Sequence, residues 1–115
     1  YRKFCEMLLA GGRYAGQVLI SDAAFQQMTT TVTPPQISSG YNNGFGYAYS
    51  LFNLEEPLLD GTGTPKGVFG WSGYHNTHFW IDQTNGIYGL FMTRTTPSAM
   101  EIQKQFRAAV YSALP

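Results

Sequence analysis

Between Gly67 and Thr93 the chain alternates short apolar runs with turn residues, and no other stretch constrains the fold as tightly. Gly67 to Trp71, His75 to Asp82 and Gly86 to Thr93 are too short for typical helices. Their aromatic and β-branched residues suit a pleated, half-buried surface, so each is predicted to be a strand. Asp82-Gln83-Thr84-Asn85-Gly86 joins the last two as a hairpin turn, because Asn and Gly accept positive φ and an Asp at a hairpin corner bonds its own backbone. Strands joined by turns this short must pair antiparallel.

The flanking segments complete the pattern. In Gly44 to Asn53, Phe45, Tyr47, Tyr49 and Leu51 alternate with smaller residues, which predicts one further strand with a heavy face. Glu55 to Lys66 holds two Pro, two Gly and Asp60 and reads as a surface loop of the kind that borders sites. Tyr1, Phe4, Cys5, Leu8 and Leu9 share one helix face, and Gly11-Gly12 ends that helix near Ala10. Ser21 caps a second helix through Met28, with Ala24, Phe25 and Met28 on its packing side. From Ser98 to Leu114, an amphipathic helix places Ile102, Phe106, Ala109, Val110 and Ala113 on one face, with Glu101, Lys104, Gln105 and Arg107 largely outside it. The expected class is α+β, an antiparallel sheet with flanking helices. Residues 1–40 form a helical front and loop, and residues 41–115 carry the strands and last helix, within a single partial domain.

Composition removes several functions. Seven Lys and Arg balance seven Asp and Glu, which leaves no basic field for a phosphate backbone, so no nucleic-acid partner is expected. No apolar run approaches the roughly 20 residues that span a bilayer, so no membrane partner is expected. The lone Cys5 lies in an apolar helical pattern and reads as a buried, inert thiol. A first residue of Tyr1 inside a helical pattern suggests an incomplete or processed chain.

Two histidines are the obvious candidates for acid–base chemistry. His75 and His78 are three apart, so on a strand they point to opposite faces and hold no metal together. His78 reads as structural and His75 as exposed. Asp82 reads as the turn acceptor, and Phe45, Tyr47, Tyr49, Phe79, Trp80 and Phe91 read as core.

Phe69-Gly70-Trp71-Ser72-Gly73-Tyr74 leads into Thr77-His78-Phe79-Trp80-Ile81-Asp82, and Asn85-Gly86 precedes Gly89-Leu90-Phe91-Met92-Thr93. This order resembles the C-terminal signature of the serine β-lactamase-like superfamily, which includes penicillin-binding proteins and related carboxylesterases. There, a Lys/His/Trp-Ser/Thr/Gly-Gly triplet on one strand is followed by a hairpin of the Trp-Ile-Asp and Phe-Met-Thr type. The likeness extends outward to Phe4–Gly12, Ser21–Thr29 and Phe106–Leu114, so it covers nearly the whole chain. It implies the C-terminal portion of a β-lactamase/transpeptidase-like fold.

Three motifs follow from the resemblance, and only the third is present. No Ser in the sequence is followed three residues later by Lys, so the Ser-x-x-Lys nucleophile and its base are absent. Tyr41-Asn42-Asn43 fits the letters of the second motif but runs directly into the Gly44 strand, and it reads as a turn. In the third motif, Trp71 stands where many relatives carry Lys or His, and it supplies an aromatic wall and no cation. Ser72 takes the hydroxyl position that faces substrate and could donate to a carbonyl or carboxylate. Gly73 lets an extended substrate lie against the backbone. The Tyr74 backbone N–H matches one of two oxyanion donors, the other belonging to the missing nucleophile. No cofactor and no metal are implied.

Three readings result. The first is an incomplete hydrolase that, joined to an N-terminal half, acts on a small-molecule ester or β-lactam through an acyl-serine. The second is a binding module whose exposed Gly67–Gly73 edge accepts a peptide or acyl group without chemistry. The third is an assembly chain that completes a partner's sheet. A homo-oligomer is expected through the Gly86–Thr93 edge, since relatives place N-terminal strands beside it.

Overall fold

Apolar residues three and four apart form helix α1 (Arg2–Leu9) and turn Cys5 and Leu8 inward, and Gly11 and Gly12 end it at φ 65° and 92°. The structure, a computed structural model, describes residues 1–37 and 42–115. A small hairpin follows, β1 (Arg13–Tyr14) and β2 (Gln17–Val18), which the sequence reading missed. The Ser21 Oγ then accepts from Ala24 N–H at 3.3 Å and starts α2 (Asp22–Thr29), as its cap position predicts.

The main sheet has five antiparallel strands in sequence order: β3 (Phe45–Tyr47), β4 (Phe52–Leu54), β5 (Phe69–Ser72), β6 (His78–Asp82) and β7 (Ile87–Phe91). The segment expected to be one strand from Gly44 to Asn53 is therefore a hairpin. Its chain reverses where Ala48 N–H bonds Leu51 C=O at 2.9 Å and Ser50 takes φ 59°. The reversal brings Phe45 and Phe52 edge to face at 5.1 Å, a contact that one continuous strand could not make, and leaves Tyr49 exposed at the corner.

Between β4 and β5 the expected surface loop contains a short helix, α3 (Pro57–Asp60), and Asp60, Thr62 and Thr64 are buried. The hairpin turn after β6 is as expected, with Asp82 Oδ1 accepting from Asn85 N–H at 3.0 Å. Helix α4 (Glu101–Ala113) closes the chain, but on a different face from the one its hydrophobic pattern suggests. Ile102 is exposed, whereas Gln103 and Arg107 are buried.

The sheet divides the apolar residues into two layers by the strand period of two. Phe69, Phe79 and Ile81 face α1 and α2, packing with Cys5, Leu8 and Phe25. Trp80 and Phe91 face α4, meeting Phe106 and Tyr111. The expected aromatic core is thus split across the sheet. Trp80 is fully buried because its cross-strand neighbours are Gly70 and Gly89. A Cβ on Gly89 would lie 2.2 Å from Trp80 Cε2.

Segment 32–36 bonds the outer side of β3, through Val32 N–H to Tyr47 C=O at 2.8 Å and Gln36 N–H to Phe45 C=O at 2.9 Å. Among the described residues, β7 pairs only with β6, so it is the open edge. No described helix is long and apolar enough to cross a membrane.

Gly89→Ala should lower stability by about 1–3 kcal/mol through overpacking on Trp80. Gly86→Ala, which meets open space at φ 67°, should lose only the left-handed preference, about 1 kcal/mol. Urea melts of the two variants check the ranking, and an equal loss at both positions would contradict it.

Candidate active site at the end of β5

The residues singled out from sequence lie at the C-terminal end of β5 and the turn after it. Trp71 pairs with Phe79 across the strands, so its ring lies on the α1 side, partly exposed and edge-on to Tyr47 at 6.1 Å. An open pocket of about 180 Å³ adjoins it, lined by Tyr1, Trp71, Ser72, Gly73, Thr77, His78, Phe79, Leu90 and Met92. This pocket is largely apolar, and the Trp71 wall places no cation in it.

The Ser72 hydroxyl, half-buried beside the pocket, is hydrogen-bonded on the α4 side of the sheet. Its position alternates with Trp71, so it faces α4. There Ser72 Oγ donates to Gln103 Oε1 at 2.6 Å and lies 3.1 Å from His78 Nδ1. Gly73 is also required by the turn that follows the strand. A Cβ there would lie 2.2 Å from Thr77 Oγ1, so the close approach is made by the turn itself.

That turn aims the Tyr74 amide. Gly73 N–H bonds Thr77 C=O at 2.8 Å, and Gly73 C=O accepts from Asn76 N–H at 3.1 Å. In a trans peptide the next N–H points opposite to the carbonyl, so Tyr74 N–H is directed away from the turn. The Tyr74 ring is exposed. β4 pairs β5 only at Phe69 and Gly70, so the strand beyond them projects past the β3–β4 hairpin. The stretch expected to be a free edge, Gly67 to Gly73, is therefore interior over its first half, where Gly67 N–H bonds Leu54 C=O at 2.8 Å.

His75 is exposed and His78 buried, as expected, but the strand expected from His75 begins only at His78, and His75 lies in the turn before it. Asn76, which the sequence reading passed over, is buried at φ 63° and anchors the turn. It donates to Thr95 Oγ1 at 2.8 Å and accepts from Ala99 N–H at 2.6 Å, tying the β5–β6 turn to the approach of α4. Of Tyr41-Asn42-Asn43, Tyr41 lies outside the described residues. Asn42 hydrogen-bonds Gln36, and Asn43 donates to Leu59 C=O at 2.9 Å.

Behind the strand lies a buried polar cluster that no local pattern announced. Arg107 Nη2 pairs with Asp60 Oδ1 at 2.8 Å, and Arg107 Nη1 lies 3.4 Å from His78 Nε2. Asp60 also accepts from Thr62, and the Arg107 guanidinium sits over the Phe45 ring at 5.0 Å. Burial pushes the His78 pKa down to about 3, and the positive charge of Arg107 adds to this, against the Trp71 carbonyl hydrogen bond. His78 is neutral near pH 7. Burial, then the Asp82 carboxylate 2.8 Å away, pushes the Tyr111 phenol up. Burial likewise raises the Cys5 thiol, as an inert cysteine requires. Among the described residues, no three His, Cys, Asp or Glu gather as metal ligands.

A family model described as Beta-lactamase matches residues 1–113. Among solved structures, EstCE1, described as a hydrolase with promiscuous acyltransferase activity, superposes with a TM-score of 0.74 at 21% identity, over 93% of this chain and 27% of that one. A novel penicillin-binding protein homolog from Caulobacter crescentus superposes with a TM-score of 0.70 at 21% identity, over 96% of this chain and 30% of that one. The chain therefore spans less than a third of the length of either protein. The α+β arrangement of a five-stranded antiparallel sheet between helices is the β-lactamase-like fold. No curated protein matches the sequence significantly.

The low His78 pKa has a thermodynamic consequence. Between pH 6.5 and about 3 the unfolded chain binds a proton at this position that the folded chain does not. Folding stability from His78 is therefore present above pH 6.5 and falls as pH falls, by up to about 1.4 kcal/mol per pH unit. His78→Phe should flatten this part of the stability–pH curve in urea melts, and an unchanged slope would contradict the assignment.

Proposed function

The chain belongs to the Beta-lactamase family, and from that premise we propose that it forms the sheet and closing helix of a serine hydrolase of the carboxylesterase kind. The nucleophile and its base would be carried by residues beyond these 115, since the sequence contains no Ser-x-x-Lys. In this reading the acyl group sits in the apolar pocket beside Trp71, and Tyr74 N–H supplies one oxyanion donor. The acyl-serine forms on a Ser supplied from outside this chain. Coverage of about 27% and 30% of two long relatives supports the reading, as does the matched family.

One observation carries the preference for an ester: the side chains at the end of β5 offer a carboxylate neither a cation nor a hydroxyl proton. Trp71 replaces the cation, and the Ser72 hydroxyl gives its proton to Gln103. A charged hydrogen bond to a β-lactam carboxylate contributes about 1.5–3 kcal/mol where a relative supplies it. An uncharged ester loses nothing by its absence and gains an apolar wall.

The open edge of β7 supports a second proposal, that the isolated chain associates with a second copy of itself along this strand. Light scattering at micromolar concentration should then report a dissociable dimer, and a clean monomer would contradict it.

Alone, the chain should turn over neither a nitrophenyl ester nor a chromogenic cephalosporin, because half an oxyanion hole without a nucleophile has no reaction to accelerate. Turnover that is abolished by a serine-directed phosphonate would contradict this. In a longer protein that carries the nucleophile, a butyrate ester should be hydrolysed with higher catalytic efficiency than a cephalosporin. Trp71→Lys should shift the ratio toward the cephalosporin by about tenfold or more. A higher efficiency on the cephalosporin, or a ratio unmoved by the substitution, would sink the esterase reading.

A further inference from the structure

The buried chain Asp60, Arg107 and His78 lies behind β5 and outside every role assigned so far, yet its chemistry has only one consistent polarity. A guanidinium only donates, so Arg107 Nη1, 3.4 Å from His78 Nε2, needs an unprotonated nitrogen there. A carbonyl only accepts, so Trp71 C=O, 3.2 Å from His78 Nδ1, needs a proton there. The two demands come from opposite sides of the ring and select the same tautomer. The ring itself is stacked on Phe52 at 5.7 Å and 19°, which holds it in plane between its two partners.

We propose that Asp60, Arg107 and His78 form a positioning relay that locks His78 with its proton on Nδ1 and so fixes the Trp71 carbonyl and the Ser72 hydroxyl at the rim of the site. Asp60 starts the relay by holding Arg107 at 2.8 Å, which turns the other arm of the guanidinium toward His78. His78 then donates on the motif side, toward Trp71 C=O and toward Ser72 Oγ at 3.1 Å. With a donor facing it, Ser72 Oγ acts there as an acceptor, and its own proton goes to Gln103 Oε1 at 2.6 Å. Fixing the Trp71 carbonyl also fixes the peptide plane that it shares with the Ser72 N–H.

His78 is therefore a positioning residue: it touches the motif strand and not the reacting atoms. It cannot serve as the general base of a hydrolase, because its one basic nitrogen is directed at Arg107 and not at the pocket. The proposal's bearing on catalysis rests on the hydrolase reading above, whereas the tautomer itself does not.

Long-range proton–nitrogen correlation spectra of the nitrogen-15-labelled chain near pH 7 test the relay directly. The expected result is a protonated-type shift at His78 Nδ1 and an unprotonated-type shift at Nε2; the reverse assignment, or two averaged shifts, would overturn the proposal. His78→Phe keeps the ring and its stacking but removes both hydrogen bonds, whereas His78→Asn keeps a donor near the place of Nδ1. The amide signals of Ser72, Gly73 and Tyr74 should move in His78→Phe, and most of that displacement should be lost in His78→Asn. Displacement in His78→Asn as large as in His78→Phe would overturn the relay, and a larger one would mean that His78 only fills space. Should either variant fail to fold by circular dichroism, the tautomer of the unaltered chain decides alone. Failure of a longer protein to hydrolyse esters would remove the hydrolase reading and leave the tautomer result standing.

Discussion

The Asp60 carboxylate and the Arg107 guanidinium meet at 2.8 Å with side-chain exposures of 0% and 4%, and four parts of the chain depend on that contact. Asp60 ends α3, Arg107 projects from α4, His78 belongs to β6 and Phe45 belongs to β3. An ion pair taken out of water gains little net stability over an apolar pair of the same shape. Removing one partner alone costs about 3–5 kcal/mol, because a charge is left buried and unpaired. Its mark on the structure is orientation: α4 docks with Arg107 inward. This is why the exposed Ile102 and the buried Gln103 reverse the order that their hydropathy suggests.

The apolar contacts on the same side of the sheet obey that constraint. Trp80 packs between Phe106 and Tyr111 once α4 is set, and the absence of a side chain at Gly89 makes room for its indole. Tyr111 in turn donates to Asp82 at 2.8 Å, so the carboxylate that shapes the β6–β7 turn also receives the far end of α4. The opposite layer, built on Cys5, Leu8, Phe69 and Phe79, follows the simple alternation of the strands, and Gln83 adds hydrogen bonds to Leu8 and Leu9 C=O at the end of α1.

The same arrangement governs the candidate site. β5 has two faces with opposite chemistry at its end: Trp71 opens onto an apolar pocket, and Ser72 turns inward to Gln103 and His78. A strand whose polar side is bonded from behind presents its aromatic side and its outward amide to whatever lies in front. The pocket therefore owes its apolar character as much to the α4 cluster as to the residue at position 71.

Much of this was legible in the residues themselves where the controlling rule is local. Ser21 caps its helix, Gly11-Gly12 ends another and Asp82 with Gly86 shapes a hairpin, because each depends on bonds that reach no more than about four residues. The third-motif strand and its neighbours also stand where alternation and resemblance put them. The break at Ser50, the interior position of Gly67–Gly70 and the inward turn of Gln103 and Arg107 had no such signal. Ser72 meets Gln103 across 31 residues and Arg107 meets Asp60 across 47. A polar side chain on a helix reads as solvent-facing until the partner that satisfies it is known. The sequence alone thus determined the elements and the motif they carry. Only the tertiary structure decided which polar groups are buried together, because the groups that pair with Gln103 Oε1 and Arg107 Nη2 lie far away along the chain.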